Sequence, residues 1–327
     1  MPAVSILIAA YNAESTLDRC LDSLVQQSMT DFQAICVDDC SSDHTLALLR
    51  RRAAADPRIL VLQTPHNSGH AVARNLALQH VEAPLVTMLD ADDWFSPDAL
   101  ASALKVFHTH PLTDSVVFHL RYHDTASGAE HDFGLPAEIA SGGALSGLEA
   151  CKLSLNRWQL HGLYVTRTSL HRRFPYDTSC RLYSDENTTH LHYLHSREVR
   201  SCEGVYFYYR HPAAQTAQFS VRRFDLIDAN FSLLLSLKHE GLSPDIIKRY
   251  EVIRWENFLG CYRLFLRHKD TLSPEQCRDI QQRLTTILHT FRPSRLPLRA
   301  RWKPGYLLTL NAPLFDLQQR LYVLFRH

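Results

Sequence analysis

Two aspartates two positions apart, Asp90 and Asp92, close the apolar run from Leu85 to Leu89. On an extended segment alternate side chains share a face, so the two carboxylates point the same way. With the oxygens of a diphosphate, such a pair can hold one hard divalent cation that keeps part of its water. The structural alternative is a cluster of helix-capping aspartates, Asp93 included, ahead of Trp94 and Pro97. A second acidic pair, Asp38-Asp39, ends another apolar run. A carboxylate there can accept from the N3–H of uracil or from a ribose hydroxyl; alternatively it makes an Asx turn or an N-cap, work that Ser41 and Asp43 would share.

Arg74 lies in Ala71-Val-Ala-Arg-Asn75. Its guanidinium suits a phosphate or a carboxylate, and its small neighbours Ala71 and Ala73 point to a packed helix face rather than a solvated one. Ser184-Asp185-Glu186-Asn187 precedes Leu191, Tyr193 and Leu194. Acidic residues at a helix start commonly cap it; as a general base, either carboxylate would need to reach a hydroxyl. In Tyr208-Tyr-Arg-His211, Arg210 and His211 could face phosphates. The other histidines, of 19 in all, show no HExxH or other zinc spacing and read mostly as surface or loop residues.

The elements that must position these groups are legible in the apolar pattern. Val4 to Ala10, Phe32 to Val37, Ile59 to Leu62 and Leu85 to Leu89 are short apolar runs, as expected of buried parallel strands. Between them Leu17, Cys20, Leu21 and Leu24 recur at helical spacing, and Leu46 to Leu49 and Ala71 to Val81 read as further helices. Pro97 opens another helix, and Val116 to Tyr122 is a fifth strand. Alternating strands and helices predict a doubly wound α/β sheet with right-handed crossovers. Such sheets bind ligands at the carboxyl ends of their strands, and Tyr11-Asn12, Asp38-Asp39, Asn67 and Asp90 to Asp93 all fall there. From about Phe224 the pattern becomes long helical periodicity, which places a boundary near residue 220.

Composition narrows the function classes. The 327 residues carry 35 Lys+Arg against 34 Asp+Glu, which argues against a nucleic-acid partner held by bulk charge. The eight cysteines form no CxxC pair, as suits a reduced, cytoplasmic protein. The opening MPAVSILIAAYN lacks a basic n-region, and no apolar stretch is long enough to span a bilayer.

In order along the chain, Val4 to Asn12, Gln27 to Phe32, Val37 to Asp43, Asn67 to Asn75, Leu89 to Trp94, Tyr183 to Asn187 and Tyr209 to His211 resemble the motifs of a family 2 glycosyltransferase of the GT-A fold. The resemblance covers roughly two thirds of the chain. It implies an inverting transfer of a sugar from a nucleotide-sugar donor to a hydroxyl of a growing glycan or glycolipid, such as cell-surface polysaccharide or lipopolysaccharide. It implies that Asp39, with Asp38 beside it, contacts the base, and that Ala9 and Tyr11 lie along the donor. Asp90 and Asp92 would hold the nucleotide and a Mg²⁺ or Mn²⁺, with Asp92 the nearer ligand and Arg74 supporting the nucleotide side. Two departures stand out: Cys40 replaces the glycine after the aspartate pair, and the acidic motif reads Asp185-Glu186 rather than Glu-Asp. Counting back from Leu194 aligns Glu186 with the base, with Asp185 as the alternative.

The resemblance divides the chain into a GT-A catalytic domain at 1–220, with a nucleotide-sugar half at 1–122 and an acceptor half at 123–220, and a helical C-terminal extension at 221–327. In that extension Arg292, Arg295, Arg299, Arg301 and Lys303 precede Leu314, Phe315, Leu317, Leu321 and Leu324 at roughly helical spacing. The pattern suits either an anchor on anionic lipid, at the cytoplasmic face of an inner membrane, or a helix packed on the domain. Two other functions compete. A nucleotidyltransferase would carry a Gly-rich, basic loop after the first strand, where this chain has Tyr11-Asn-Ala-Glu-Ser15. A non-catalytic nucleotide-sugar-binding module would lack Asp92 or both Asp185 and Glu186, which are present.

Overall fold

The computed structural model describes residues 1–125, 127–180, 182–210, 219–303 and 306–324; the side chains of 184–186, 299, 303, 306 and 307 are outside the description. The chain divides into two compact units, 1–218 and 219–327.

The first unit opens with β1 (Val4–Ala10), α1 (Leu17–Val25), β2 (Phe32–Asp38), α2 (Thr45–Ala55), β3 (Ile59–Gln63), α3 (His70–Gln79) and β4 (Leu85–Met88). It continues with β5 (Trp94–Phe95), α4 (Ala99–Thr109), β6 (Thr113–Asp124), β7 (Glu130–Asp132), α5 (Ala137–Ala140), β8 (Leu145–Ser146) and α6 (Gly147–Leu155). It ends with β9 (Tyr164–Arg167), α7 (Thr168–Arg173), α8 (Ser184–Leu194) and β10 (Glu198–Arg210). Among the described residues these strands make one ten-stranded sheet in the order β3-β2-β1-β4-β9-β6-β10-β5, with β7 on β6 and β8 on β10.

The first half is parallel: β1 pairs with β2 and β4, and β2 with β3. Its strands are mostly apolar because helices cover both faces. Val4, Ile6 and Ile8 join one core cluster, while Leu7, Ile35, Val37 and Val86 join another with α3. Each such side chain contributes about 2 kcal/mol by leaving water. The second half departs from the expected parallel order, because β9 runs antiparallel to both β4 and β6. Parallel pairing resumes between β6 and β10, and β5 closes the edge antiparallel to β10. The helix expected at Pro97 begins two residues later, at Ala99 with Asp98 as its N-cap residue.

The second unit is helical: α9 (Asp225–His239), α10 (Pro244–His268), α11 (Pro274–Leu288), α12 (Leu298–Arg301), a short hairpin of β11 (Trp302–Lys303) and β12 (Tyr306–Leu307), and α13 (Ala312–Leu324). Its core centres on Trp255, Phe258, Phe291 and Phe315, and it contains a buried Arg254–Glu251 ion pair. Among the described residues no helix is long and apolar enough to cross a membrane.

Candidate functional site

At the carboxyl edge of the parallel half, β1 runs between β2 and β4, with Ala10 in register with Asp38. Neighbouring strands lie about 4.8 Å apart, so the acidic ends of β2 and β4 stand about 10 Å from each other, with Tyr11 between them. Tyr11 is 39% exposed, a free aromatic surface at this edge; Ala9 is half-buried one strand position before Ala10.

The two aspartates of β2 have different surroundings. Asp39 is buried and already holds a loop: its Oδ1 accepts from Thr64 Oγ1 at 2.7 Å and Ser68 N at 2.9 Å, and its Oδ2 from Gly69 N at 2.7 Å. It thereby fixes the turn that starts α3, where Gly69 takes φ 92, ψ 158, a conformation open essentially to glycine. A carboxylate offers about four lone-pair sites, so one remains at Asp39. Asp38 is fully buried. Its Oδ2 accepts from Ser41 N and Gln63 Nε2, and its Oδ1 has no hydrogen-bond partner. Asp43 makes an Asx turn rather than the N-cap, which is His44: its carboxylate accepts from Thr45 N and from Glu14 N.

The loop between them explains the Cys40 departure. Cys40 sits at φ 60, in the left-handed region that a glycine enters without cost. It is held there because the 40–45 loop is tied to the loop after β1. Ser41 Oγ accepts from Asn12 N, Asn12 Oδ1 from Ser42 N, and Thr45 Oγ1 from Ala13 N.

Asp90, Asp92 and Asp93 form a turn after β4, closed by Asp93 N donating to Asp90 O at 3.0 Å. None of the three caps a helix; the chain passes straight into β5. Arg74 is buried on α3, as its small neighbours predicted, and its guanidinium pairs with the Asp90 carboxylate beside the ring of Tyr176. Asp92 is half-buried, and its carbonyl accepts from Arg19 at 2.7 Å.

Asp93 is the residue that holds the turn. Its carboxylate accepts from Tyr206 Oη at 2.7 Å and Tyr209 N at 2.8 Å, while the same Tyr206 Oη accepts from Asp90 N. Burial pushes the Asp93 carboxyl well above the usual range, and the neighbouring charges of Asp92 and Asp90 add to this. Arg19 lies between the rings of Tyr209 and Trp94, at 3.8 and 4.2 Å. Neither contact is legible in sequence spacing, because Arg19 and Asp92 lie 73 positions apart and Tyr206 and Asp93 lie 113 apart.

The remaining predicted residues are less fully described. Asp185 and Glu186 lie in the first turn of α8, beyond a Tyr183 at φ 67; their side chains fall outside the described residues, as does His211. Arg210 ends β10 and rests on Tyr122 at 3.7 Å. Four histidines are in the core rather than at the surface: His161, His171, His190 and His192. No cluster of three or more His, Cys, Asp or Glu among the described residues is arranged to hold a metal by itself.

Residues 5–134 match the family model "Glycosyl transferase family 2". The chain is 36% identical over 107 residues to a chondroitin synthase of Pasteurella multocida, a match covering 33% of this chain and 11% of that protein. The matched part thus spans about a ninth of that relative's length. Among solved structures, S. aureus TarS 1-349 in complex with UDP-GlcNAc superposes with a TM-score of 0.68 at 18% identity, covering 99% of this chain and 88% of that one. The mannosyltransferase PcManGT of Pyrobaculum calidifontis, in complex with GDP-Man and Mn²⁺, does so with a TM-score of 0.57 at 17% identity, covering 99% and 85%. The fold of this chain is therefore that of the GT-A glycosyltransferases.

Proposed function

We propose that this protein, whose residues 5–134 match the family 2 glycosyltransferase model, transfers a sugar from a nucleotide-sugar donor to a hydroxyl of a growing glycan. The observation that carries the reading is the pair of acidic strand ends, Asp38-Asp39 and Asp90–Asp92, on either side of β1 at one edge of a parallel sheet. Their separation suits the length of a nucleoside diphosphate. The base end meets Asp39, which keeps one acceptor site, and Asp38, whose Oδ1 is unmet. The diphosphate end meets Asp90, Asp92 and the buried Arg74.

These carboxylates are hard oxygen donors and too few to cage a metal alone. They fit a Mg²⁺ or Mn²⁺ that takes its other ligands from the diphosphate and water. Asp92 and Asp90 would hold it, and when bound it would offset charge on the leaving diphosphate. Arg74 orients Asp90, and Tyr206 and Asp93 keep the turn rigid. Glu186, with Asp185 as the alternative, removes the proton of the acceptor hydroxyl. The acceptor oxygen then bonds to the anomeric carbon as the bond to the diphosphate oxygen breaks on the opposite face, inverting the centre.

The acceptor is a polysaccharide or lipopolysaccharide chain in this reading, made on the cytoplasmic side. Support comes from the glycan-synthesising relative and the sugar-nucleotide complexes of the structural neighbours.

The test is donor binding. UDP, UDP-GlcNAc and GDP-mannose are offered with and without Mn²⁺, and the melting temperature is read. A ligand at 100 times its Kd stabilises by about 2.7 kcal/mol, a rise of several degrees for a unit of this size. No shift and no nucleotide release with any nucleotide at millimolar concentration would refute the reading.

A further inference from the structure

We infer that the C-terminal segment of the second unit, residues 292–324, is a docking surface for an anionic lipid bilayer, a role that does not depend on the transfer reaction. The first observation is a helix with one packed face and, opposite it, an exposed apolar one. At 100° per residue, Phe315, Gln319 and Tyr322 of α13 share one side, which packs on α10: Asp316 accepts from Tyr262 Oη, Gln319 from Arg263, and Arg263 covers the Tyr322 ring. Phe315 and Gln319 are fully buried there. Leu314, Leu317, Leu321 and Leu324 lie on the opposite side, each between 44% and 71% exposed. Leucines that merely packed α13 onto its own unit would be on the first face.

The exposure is also concentrated. Of the seven large hydrophobic side chains exposed in the described part of the second unit, six fall from residue 298 onward: these four leucines, Leu298 at 68% and Trp302 at 57%. An indole on the surface suits the boundary between acyl chains and headgroups.

The second observation is charge. Residues 291–327 hold seven Lys or Arg and one acid, Asp316, which is itself paired with Arg320. That leaves 28 of the 35 basic and 33 of the 34 acidic residues for the rest of the chain. A near-neutral protein has thus gathered positive charge in the segment that exposes apolar side chains. This matches a surface that is negative at its headgroups and apolar beneath them. A second copy of the chain fits less well, because a two-fold contact through this face would set like charges against each other. A nucleic acid would meet the charge but leave the leucines uncovered.

The experiment is co-sedimentation of the full chain with vesicles of phosphatidylcholine alone, or of phosphatidylcholine and phosphatidylglycerol in equal parts, at low and at high salt. The anionic vesicles should pellet the protein and the neutral ones should not, with pelleting weakened but not abolished by salt, since only the charge contribution is screened. Arg292→Gln should lower partitioning about fivefold, the share of one charge near the surface. Leu317→Glu with Leu321→Glu should abolish it while circular dichroism stays unchanged. Should that variant misfold, the intact chain decides: brominated acyl chains should quench a fluorescence component that Trp302→Phe removes. Absence of pelleting, equal pelleting with neutral vesicles, or pelleting and quenching indifferent to these substitutions would overturn the inference. So would a dimer in the ultracentrifuge that Leu317→Glu with Leu321→Glu dissolves without any effect of lipid.

Discussion

Lowering the pH from 7 to 5 should destabilise the first unit by about 4 kcal/mol through two buried histidines that the proposed transfer does not use. His161 and His192 are 5% and 0% exposed. Burial depresses His161 to about 3 and His192 to about 4. His192 meets Tyr164 Oη at Nδ1 and the Phe174 carbonyl at Nε2; burial keeps the ring neutral, although the carbonyl bond by itself favours the charged form. Its ring lies 4.6 Å from that of His171, which burial also depresses well below its ordinary value, with the charge of Arg74 adding to the effect.

The sign follows from which state binds protons. Below about 6.5 the unfolded chain protonates these rings and the folded one does not, so stability falls with pH. At pH 5 both rings are still neutral in the fold. The loss is about 1.36 kcal/mol for each of about 1.5 pH units, so about 2 kcal/mol per ring and about 4 kcal/mol for the two. This figure does not depend on how far below 5 the folded values lie. Two other groups act in opposite directions. His171 adds to the loss by the same reasoning. Asp93, raised by burial, binds a proton more readily in the fold and so offsets part of it. Asp43, lowered by its hydrogen bonds, and Asp56 and Asp114, lowered by their arginine partners, lose their contribution only below about pH 4, outside this window.

Urea unfolding followed by hydrogen exchange in the 113–124 strand reports this unit alone. His192→Gln, which keeps a donor and an acceptor in place, should shrink the pH difference by about 2 kcal/mol, the share of one ring. Equal stability at pH 7 and pH 5, or a variant with the parent's full pH dependence, would refute the argument.

Three further outcomes are expected. Asp92→Asn should lower sugar transfer at least 100-fold with the melting temperature kept within about 2 °C, and raising Mn²⁺ should recover part of it; steady-state assays across metal concentrations check this. Glu186→Gln should lower transfer about 10²–10⁴-fold while donor binding by calorimetry stays intact; if Asp185→Asn alone does so, the base is Asp185. Cys40→Gly should stabilise the protein by roughly 0.5–1 kcal/mol in urea unfolding, because relief of a left-handed side chain at φ 60 exceeds glycine's added chain entropy.

The parallel half of the sheet and its acidic strand ends were readable because their causes are local. Continuous apolar runs of four to seven residues have to be covered on both faces, and α1 shows its buried stripe at Leu17, Cys20, Leu21 and Leu24. Polar residues that end such runs fall at the carboxyl edge wherever the strands are parallel, so Asp38, Asp39, Asp90 and Asp92 could be named in advance. Arg74 was readable for a similar reason, from the alanines flanking it.

Contacts between distant segments belong to the tertiary structure alone. Two-residue strands such as Trp94–Phe95 carry no period, so their pairing with Tyr206 and Phe207 had no signal, and neither did the antiparallel entry of β9. Sequence made Asp38 and Asp39 near equivalents; only the return of the 64–69 loop distinguishes them, committing Asp39 to three donors and leaving an oxygen of Asp38 unmet. Likewise, histidine has no fixed preference for core or surface. Burial of His171 and His192 is decided by α7 and α8 closing over β4 and β9. That closure rests on contacts between remote segments, such as Thr168 Oγ1 donating to the Ala83 carbonyl 85 positions earlier, and local sequence patterns carry no trace of them.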